Sequence, residues 1–138
     1  MIKKRGSIIL ESLISMVIIM IIGTIALGIS ISLSKSKRIR DEFGFYERVS
    51  YSVENEIKYN IDYEEIIRRL SSKDNISLQL NDNYFNFILN NNLLTLNEGQ
   101  GILIKKIKNS NKTLELEVSI YSKNNKLVIS RNFIKGEL

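Results

Sequence analysis

The chain has 138 residues, which is enough for one compact domain and too few for two. It contains no Cys and no His, so disulfide scaffolds, thiolate sites, Ser-His-Asp catalysis and His-ligated metals are excluded. The net charge of +5 is only mildly basic and is weak evidence for a nucleic-acid partner. Mean hydropathy is close to zero, as in many soluble proteins, but the apolar residues are distributed unevenly along the chain.

Residues 12–34 form a run of 23 positions without a charge, and 15 of them are Leu, Ile, Val, Met or Ala. As a helix, this run would extend about 35 Å, against about 30 Å for the hydrocarbon core of a bilayer. A soluble domain of this size cannot easily bury a helix that is apolar on every side. The run therefore predicts a membrane-spanning helix, with the lipid bilayer as a partner.

Basic residues flank the apolar segment on both sides and are nearly balanced in number. Three precede it and four follow it: Lys3, Lys4 and Arg5, and then Lys35, Lys37, Arg38 and Arg40. The difference is too small for the excess of Lys and Arg on the cytoplasmic side to set the orientation. Because the N-terminal tail is very short, a globular domain must lie on the C-terminal side of the span.

Glu11 interrupts the otherwise uncharged residues 7–34. An ionised side chain costs about 2.5 to 3.5 kcal/mol at the centre of a membrane helix and less near its ends. Such a residue is by default a candidate for function, with a partner to be identified. The residue alone leaves open a second interpretation, in which Glu11 simply extends to the lipid headgroups.

The residues around Glu11 resemble the class III signal of type IV pilins and of the pseudopilins of type II secretion and competence systems. The family pattern is a short basic leader that ends in Gly, followed by an apolar run with Glu at its fifth residue. The matching residues are the leader charges Lys3, Lys4 and Arg5, the cleavage site Gly6 and Ser7, and the fifth-position Glu11. The resemblance covers about the first 30 residues of the chain.

The resemblance implies a sequence of processing and assembly steps. A prepilin peptidase, which is also the methyltransferase, would cut between Gly6 and Ser7 and methylate the new amine of Ser7. Glu11 would pair with the N-terminal amine of a neighbouring pilin or pseudopilin subunit as subunits add at an inner-membrane assembly platform. An unpaired charge is costly in a low-dielectric setting, so this pair would fix the register of assembly. Ser7 stands where the family most often has Phe.

Residues 35–60 are expected to continue the helix with an amphipathic pattern. Apolar residues recur at spacings of three and four: Ile39, Phe43, Tyr46, Val49, Val53 and Ile57. Glu54 and Lys58 form an i,i+4 pair in the favourable order. Since no Pro interrupts the chain, we predict one helix from about Ser7 to about Asn60, whose amphipathic half packs on a C-terminal domain.

Residues 61–138 are predicted to form a short helix and an antiparallel sheet. Residues 62–70 favour the helix, with Asp62 as its N-cap. Alternation and short apolar runs then predict six strands, at residues 76–80, 84–89, 93–96, 102–107, 113–121 and 127–134. These elements predict an α+β fold similar to that of pilins, with a long N-terminal helix packed on a small antiparallel β-sheet.

Residues with catalytic or binding chemistry are sparse in the C-terminal domain. Glu115 and Glu117 alternate on one strand face and are expected to be solvated rather than paired for acid–base work. Five lysines could form a small basic patch of the kind that contacts DNA. A solvated strand edge protected by lysines is the favoured interpretation. The residues are Lys105, Lys106, Lys108, Lys112 and Lys126. No cofactor or metal is indicated, and we expect no enzymatic activity.

The sequence favours a minor pilin or pseudopilin that is made in the cytoplasmic membrane with its C-terminal domain outside. Its segments would be a leader, a membrane and polymerisation helix, an amphipathic continuation and a globular domain, at residues 1–6, 7–34, 35–60 and 61–138. The alternative is a single-pass anchored or secreted binding domain that does not polymerise. In a secreted form, Ala26-Leu27-Gly28 would serve as an ordinary cleavage site, and Ile29 would be the first residue.

Overall fold

The computed structural model describes the backbone of residues 2–110 and 112–137 and the side chains of residues 8–110 and 112–137. The elements are α1 (Ile2–Asn55), a π-helical turn (Glu56–Asn60), α2 (Tyr63–Ser72), β1 (Asn75–Gln79), α3 (Tyr84–Ile88), a 3-10 turn (Leu93–Thr95), β2 (Gly101–Ser110), β3 (Thr113–Tyr121) and β4 (Leu127–Gly136). The chain divides into two compact units, residues 1–41 and 42–138. The predicted α+β class is confirmed.

The first unit consists of the N-terminal part of α1 alone. Its apolar side chains are exposed, and Ile19 and Ile31 reach exposed fractions of 69% and 70%. The helical segment from residue 8 to residue 60 contains a stretch that is long and apolar enough to cross a membrane, and no residue of that stretch is buried. The prediction of a helix that could span a bilayer is confirmed in length and composition.

In the second unit, the C-terminal part of α1 packs on one face of the sheet. Four residues of the predicted stripe are buried in the core: Tyr46, Val49, Val53 and Ile57. Alternate residues of β2 and β3 form the sheet side of that core: Ile102, Ile104, Leu114, Leu116, Val118 and Ile120. The other two stripe residues, Ile39 and Phe43, are exposed because they precede Phe45, where packing of α1 on the core begins.

The sheet is an antiparallel meander in which each strand pairs with the next one along the chain, in the order β1-β2-β3-β4. β1 covers only the first half of β2, from Gly101 to Lys105. Just before β1, the Asp74 carbonyl still accepts a hydrogen bond from the Lys106 N–H over 3.3 Å. Residues 107–110 have a partner strand on one side only within the described chain, and they form an open sheet edge. Lys108 lies on this edge, in agreement with the favoured prediction for that lysine.

Two of the six predicted strands are wrong. Residues 84–89 contain α3, in which Tyr84 is the buried residue, and residues 93–96 contain the 3-10 turn. Asn92 lies between these two segments and caps the 3-10 turn by accepting a hydrogen bond from the Leu94 N–H at 2.9 Å. Short apolar runs do not distinguish a strand from a buried helical turn by periodicity, and here local capping and burial decide.

The elements between the long helix and the sheet agree closely with the predictions. Helix α2 begins after Asp62, which occupies the N-cap position, although its side chain makes no capping hydrogen bond. The predicted ion pair between Glu54 and Lys58 is present, with Oε1 and Nζ 2.6 Å apart. The π-helical turn closes α1, and the Ile61 N–H donates to the Glu56 carbonyl over 3.1 Å.

Candidate functional site

The predicted cleavage site lies in the first turns of α1, which begins at Ile2. The side chains of the leader charges and of the cleavage site lie outside the described residues: Lys3, Lys4, Arg5, Gly6 and Ser7. A peptidase that binds an extended backbone must unwind this end of the helix. Gly6 lowers that cost, because Gly weakens a helix by about 1 kcal/mol relative to Ala and helix ends open most easily.

Glu11 is a carboxylate among exposed apolar side chains. Its neighbours Ile8, Leu10 and Ile14 have exposed fractions of 64%, 61% and 52%. Glu11 forms no ion pair within the described part of the chain. The Ser15 hydroxyl donates to the Glu11 backbone carbonyl at 2.8 Å, and this hydrogen bond does not involve the Glu11 carboxylate. The carboxylate is therefore available to a partner outside the described residues.

Glu11 and Lys35 mark the two charged ends of the apolar run. They are 24 residues apart, or about 36 Å along a helix that rises about 1.5 Å per residue. A bilayer is about 30 Å thick in its hydrocarbon core and about 40 to 45 Å with its headgroups. Both charges can therefore reach headgroup depth while the helix spans a bilayer. At headgroup depth the Glu11 carboxylate stays solvated. Its desolvation would cost free energy only if the helix moved so that the carboxylate entered an apolar environment.

A groove of about 430 Å³ lies on the second unit, within the range of about 300 to 1,000 Å³ that small-molecule sites occupy. Phe45 and Tyr46 of α1 and Tyr121 of β3 supply its aromatic surface. Asp82 and Lys123 form an ion pair at its rim, with Oδ1 and Nζ 3.0 Å apart. Both side chains are largely exposed, so this pair contributes little stability. No group of three metal-ligating side chains occurs among the described residues.

The acidic residues of β3 lie on the sheet face opposite the core. In the strand register, Glu117 is opposite Lys105 and Glu115 is opposite Lys108. Glu117 also accepts a hydrogen bond from the Ser130 hydroxyl at 2.6 Å. Cross-strand neighbours of opposite charge stabilise a solvated sheet face, and this arrangement supports the solvated interpretation of both carboxylates.

The five lysines weighed as a DNA-binding patch do not come together. Lys112 lies in the connection from β2 to β3, and Lys126 immediately precedes β4. These two positions are at opposite ends of β3, whose nine residues extend about 30 Å. The less favoured alternative of one patch containing all five lysines therefore does not fit the fold, because the meander places successive hairpin turns at opposite ends of the sheet.

Two cations of β4 lie on the helix side of the sheet, and the sequence analysis did not identify them. Lys135 is 5% exposed, and its Nζ donates to the Lys58 backbone carbonyl at 2.9 Å. Burial lowers the pKa of Lys135, while the charge of Asp62 acts in the opposite direction. Arg131 lies over the ring of Tyr51. Both residues alternate with the buried Phe133 along β4, but this pattern alone did not identify them, because a cation on a strand is ordinarily expected on the solvent face.

The predicted site residues lie along one stretch of helix and do not surround a pocket. The leader, the cleavage site and Glu11 follow one another within about the first three turns of α1. No family model matches this chain, and no curated protein or solved structure matches it. A linear signal on an exposed helix is suited to recognition by partners that bind a segment of chain.

Proposed function

We propose that this chain is the precursor of a minor type IV pilin or pseudopilin, a structural subunit that enters a filament through its N-terminal helix. The observation that carries the proposal is Glu11, an exposed carboxylate at the fifth position after Gly6 on α1, with no ion-pair partner among the described residues. A simple membrane anchor has no use for a carboxylate there. A subunit that must be positioned against a neighbour can use a carboxylate at this position to pair with a charge of that neighbour.

The exposure of the apolar helix supports the same proposal. The apolar stretch of α1 has no buried residue, so none of its surface is used within its own unit. That surface is available first to lipid and then to the equivalent helices of neighbouring subunits. The precursor would lie in the cytoplasmic membrane with its C-terminal unit outside, and the processed subunit would then enter a pilus or pseudopilus.

Processing would change the charge at the start of the helix. Cleavage between Gly6 and Ser7 removes three cationic side chains and creates one amine with a pKa near 8. That amine is mostly cationic at neutral pH, and N-methylation keeps its charge. Glu11 of a neighbouring subunit supplies the counter-ion. Since an unpaired charge in a low-dielectric environment is costly, a subunit would dock in the register that pairs each carboxylate with an amine.

The decisive test of processing is the intact mass and N-terminal sequence of the mature protein, made together with a prepilin peptidase. We expect Ser7 as the first residue, with or without a methyl group. A Gly6→Leu variant should retain the leader, because a bulky side chain then precedes the cut. An intact Met1 in the unmodified protein, or a chain that begins at Ile29, would overturn the proposal.

A Glu11→Val variant tests assembly separately from processing. We expect cleavage to be largely unchanged and incorporation into filaments to be lost, as measured by immunoblotting of sheared surface fractions. The matched control is Glu64→Val, which changes an exposed carboxylate of α2 and should leave incorporation unchanged. Normal incorporation of the Glu11 variant would contradict the pairing role.

The groove beside Tyr46 and Tyr121 favours a second candidate, a single-pass anchored or secreted domain that binds a ligand and does not polymerise. Its aromatic surface and polar rim have the mixed chemistry of small-molecule sites. This candidate predicts that Glu11→Val leaves function unchanged and that Ser7 is not the first residue. The two measurements above therefore separate the candidates.

A further inference from the structure

Four cations follow the apolar run of α1 within six residues, and we refer to them as the basic collar: Lys35, Lys37, Arg38 and Arg40. All four are exposed. Asp41 lies four residues beyond Lys37 and three beyond Arg38, and Glu42 lies four beyond Arg38, at spacings that permit ion pairs on one helix. Within the described chain, however, no collar residue forms an ion pair. The collar charges are therefore not neutralised by their own helix.

The basic collar surrounds α1 instead of forming a stripe along one side. Successive residues of an α-helix are rotated by about 100°. With Lys35 at 0°, Arg40 lies at about 140°, Lys37 at about 200° and Arg38 at about 300°. A nucleic-acid duplex or a folded protein contacts one side of a helix and would leave part of the collar unused. A partner that encloses the helix on all sides fits better, and the headgroup layer of a bilayer is such a partner.

The position of the collar along α1 fits the same partner. Lys35 follows directly on the uncharged residues 12–34, whose length of about 35 Å exceeds the hydrocarbon thickness of about 30 Å. The stems of Lys and Arg can lie along apolar surface while their charged ends reach the lipid phosphates. Each cation near an anionic membrane surface raises local affinity about fivefold.

We propose that the basic collar binds anionic phospholipid headgroups in the leaflet where α1 leaves the membrane, so that the chain gathers anionic lipid around itself. The inference rests on the membrane residence in the proposed function, but on neither cleavage nor polymerisation. Asp41 and Glu42 follow the collar immediately and reduce the positive charge beyond it. The attraction is therefore confined to the depth of the headgroups.

The test uses the full chain inserted into vesicles of phosphatidylcholine with a minor fraction of phosphatidylglycerol. The chain is extracted in polymer nanodiscs with its surrounding lipid, and the two lipids are quantified. In the collar variant, all four collar residues are replaced by Gln. The control variant carries Lys105→Gln, Lys108→Gln, Lys112→Gln and Lys126→Gln, which removes the same charge from the second unit.

We expect phosphatidylglycerol to be enriched several-fold over the bulk in the unmodified chain and in the control variant. Enrichment should fall by about half or more in the collar variant, which keeps the three leader cations Lys3, Lys4 and Arg5, and added salt should weaken it in the other two proteins. Undiminished enrichment in the collar variant, or an equal loss in the control variant, would overturn this inference and leave the pilin proposal untouched.

Two further outcomes identify other errors. A chain that fails to insert into the vesicles would overturn both the inference and the membrane residence on which it rests. Binding of a DNA duplex that displaces phosphatidylglycerol from the collar at equal phosphate concentration would assign the collar to nucleic acid and overturn the inference. Filament assembly takes no part in these measurements, so the pilin proposal stands or falls separately by its own tests.

Discussion

Arg131 of β4 stacks on Tyr51 of α1, with its guanidinium carbon 3.7 Å from the centroid of the ring. Glu47, about one turn earlier on α1, has its Oε1 3.8 Å from a terminal nitrogen of the same guanidinium. The Arg131 Nε is buried and has no hydrogen-bond partner among the described residues. Stacking and the nearby carboxylate therefore hold this side chain, and through it the edge strand β4 is attached to the helix.

Replacement of Tyr51 by Leu would remove the ring and keep an apolar side chain. We expect a loss of about 1 kcal/mol in the free energy of unfolding, because a cation–π contact of a partly exposed pair has about this value. The loss is measured as a lower urea midpoint for the full chain in detergent micelles. Tyr51→Phe keeps the ring and should change stability by less than about 0.5 kcal/mol. Equal losses in both variants would exclude stacking as the cause.

Lys135→Ala would leave the Lys58 carbonyl without its donor. We expect a loss of about 1 to 3 kcal/mol, which is the cost of an unsatisfied polar group at a buried position. Lys126→Ala is the control, because Lys126 is exposed and its removal changes net charge by the same amount. Urea unfolding of both variants measures the difference. Equal midpoints for the two variants would show that this hydrogen bond contributes nothing.

Tyr84 should make stability depend on pH in the alkaline range. Burial raises the pKa of Tyr84 from 10.0 to about 12, although the hydrogen bond to Ser52 acts in the opposite direction. The unfolded chain therefore loses the phenol proton near pH 10, while the folded chain keeps it to about pH 12. Stability that is fully present below pH 10 is lost as pH rises through this interval, by about 3 kcal/mol in all.

Tyr84→Phe should abolish this alkaline loss, whereas Tyr59→Phe, at a tyrosine that is 74% exposed, should retain it. Urea midpoints from pH 9 to about pH 12 measure the effect. Lys135 contributes with the opposite sign, because its lowered pKa makes the unfolded chain bind more protons below pH 10.5. The stabilisation that this effect adds increases up to about pH 10.5 and is constant above that pH. A loss of stability above pH 10.5 is therefore assigned to Tyr84. A decline that persists in Tyr84→Phe would contradict the assignment.

Gly101 is required by the geometry at the start of β2. Its φ of +127° is unfavourable for residues with a side chain, and an added Cβ would lie 2.9 Å from the Leu80 backbone nitrogen. We expect Gly101→Ala to destabilise the second unit by at least about 2 kcal/mol, from strain and collision together. Gly136→Ala is the control, since a Cβ there meets open space. Thermal unfolding compares the two, and equal midpoints would contradict the requirement.

The long helix and the last three strands were predictable because their signals repeat over many residues. The uncharged run and the spacing of Tyr46, Val49 and Val53 each specify a helix by several independent positions. The apolar pattern of residues 84–89 is too short to distinguish the two-residue period of a strand from the 3.6-residue period of a helix. Burial of Tyr84 and the turn before it decide the outcome, and both depend on contacts that form only in the folded unit.

The candidate site was predictable to the extent that it is linear. Glu11 and Gly6 are read directly from the order of residues, and the structure adds that Glu11 has no ion-pair partner among the described residues. Lys135 was not predictable, since a lysine on an alternating strand is expected on the solvent face. Its acceptor is the Lys58 carbonyl, which is available because α1 ends in a π-helical turn.

The order of the sheet strands has a consequence for the rate of folding. β2, β3 and β4 are joined by connections at residues 111–112 and 122–126, so their pairings close short loops. Only β1 must wait for the longer connection at residues 80–100, and loop-closure entropy grows slowly with length. Pairings that are local in the chain favour fast folding. Pairing of β2, β3 and β4 is therefore expected to precede the addition of β1, so that the sheet grows from its C-terminal strands toward β1.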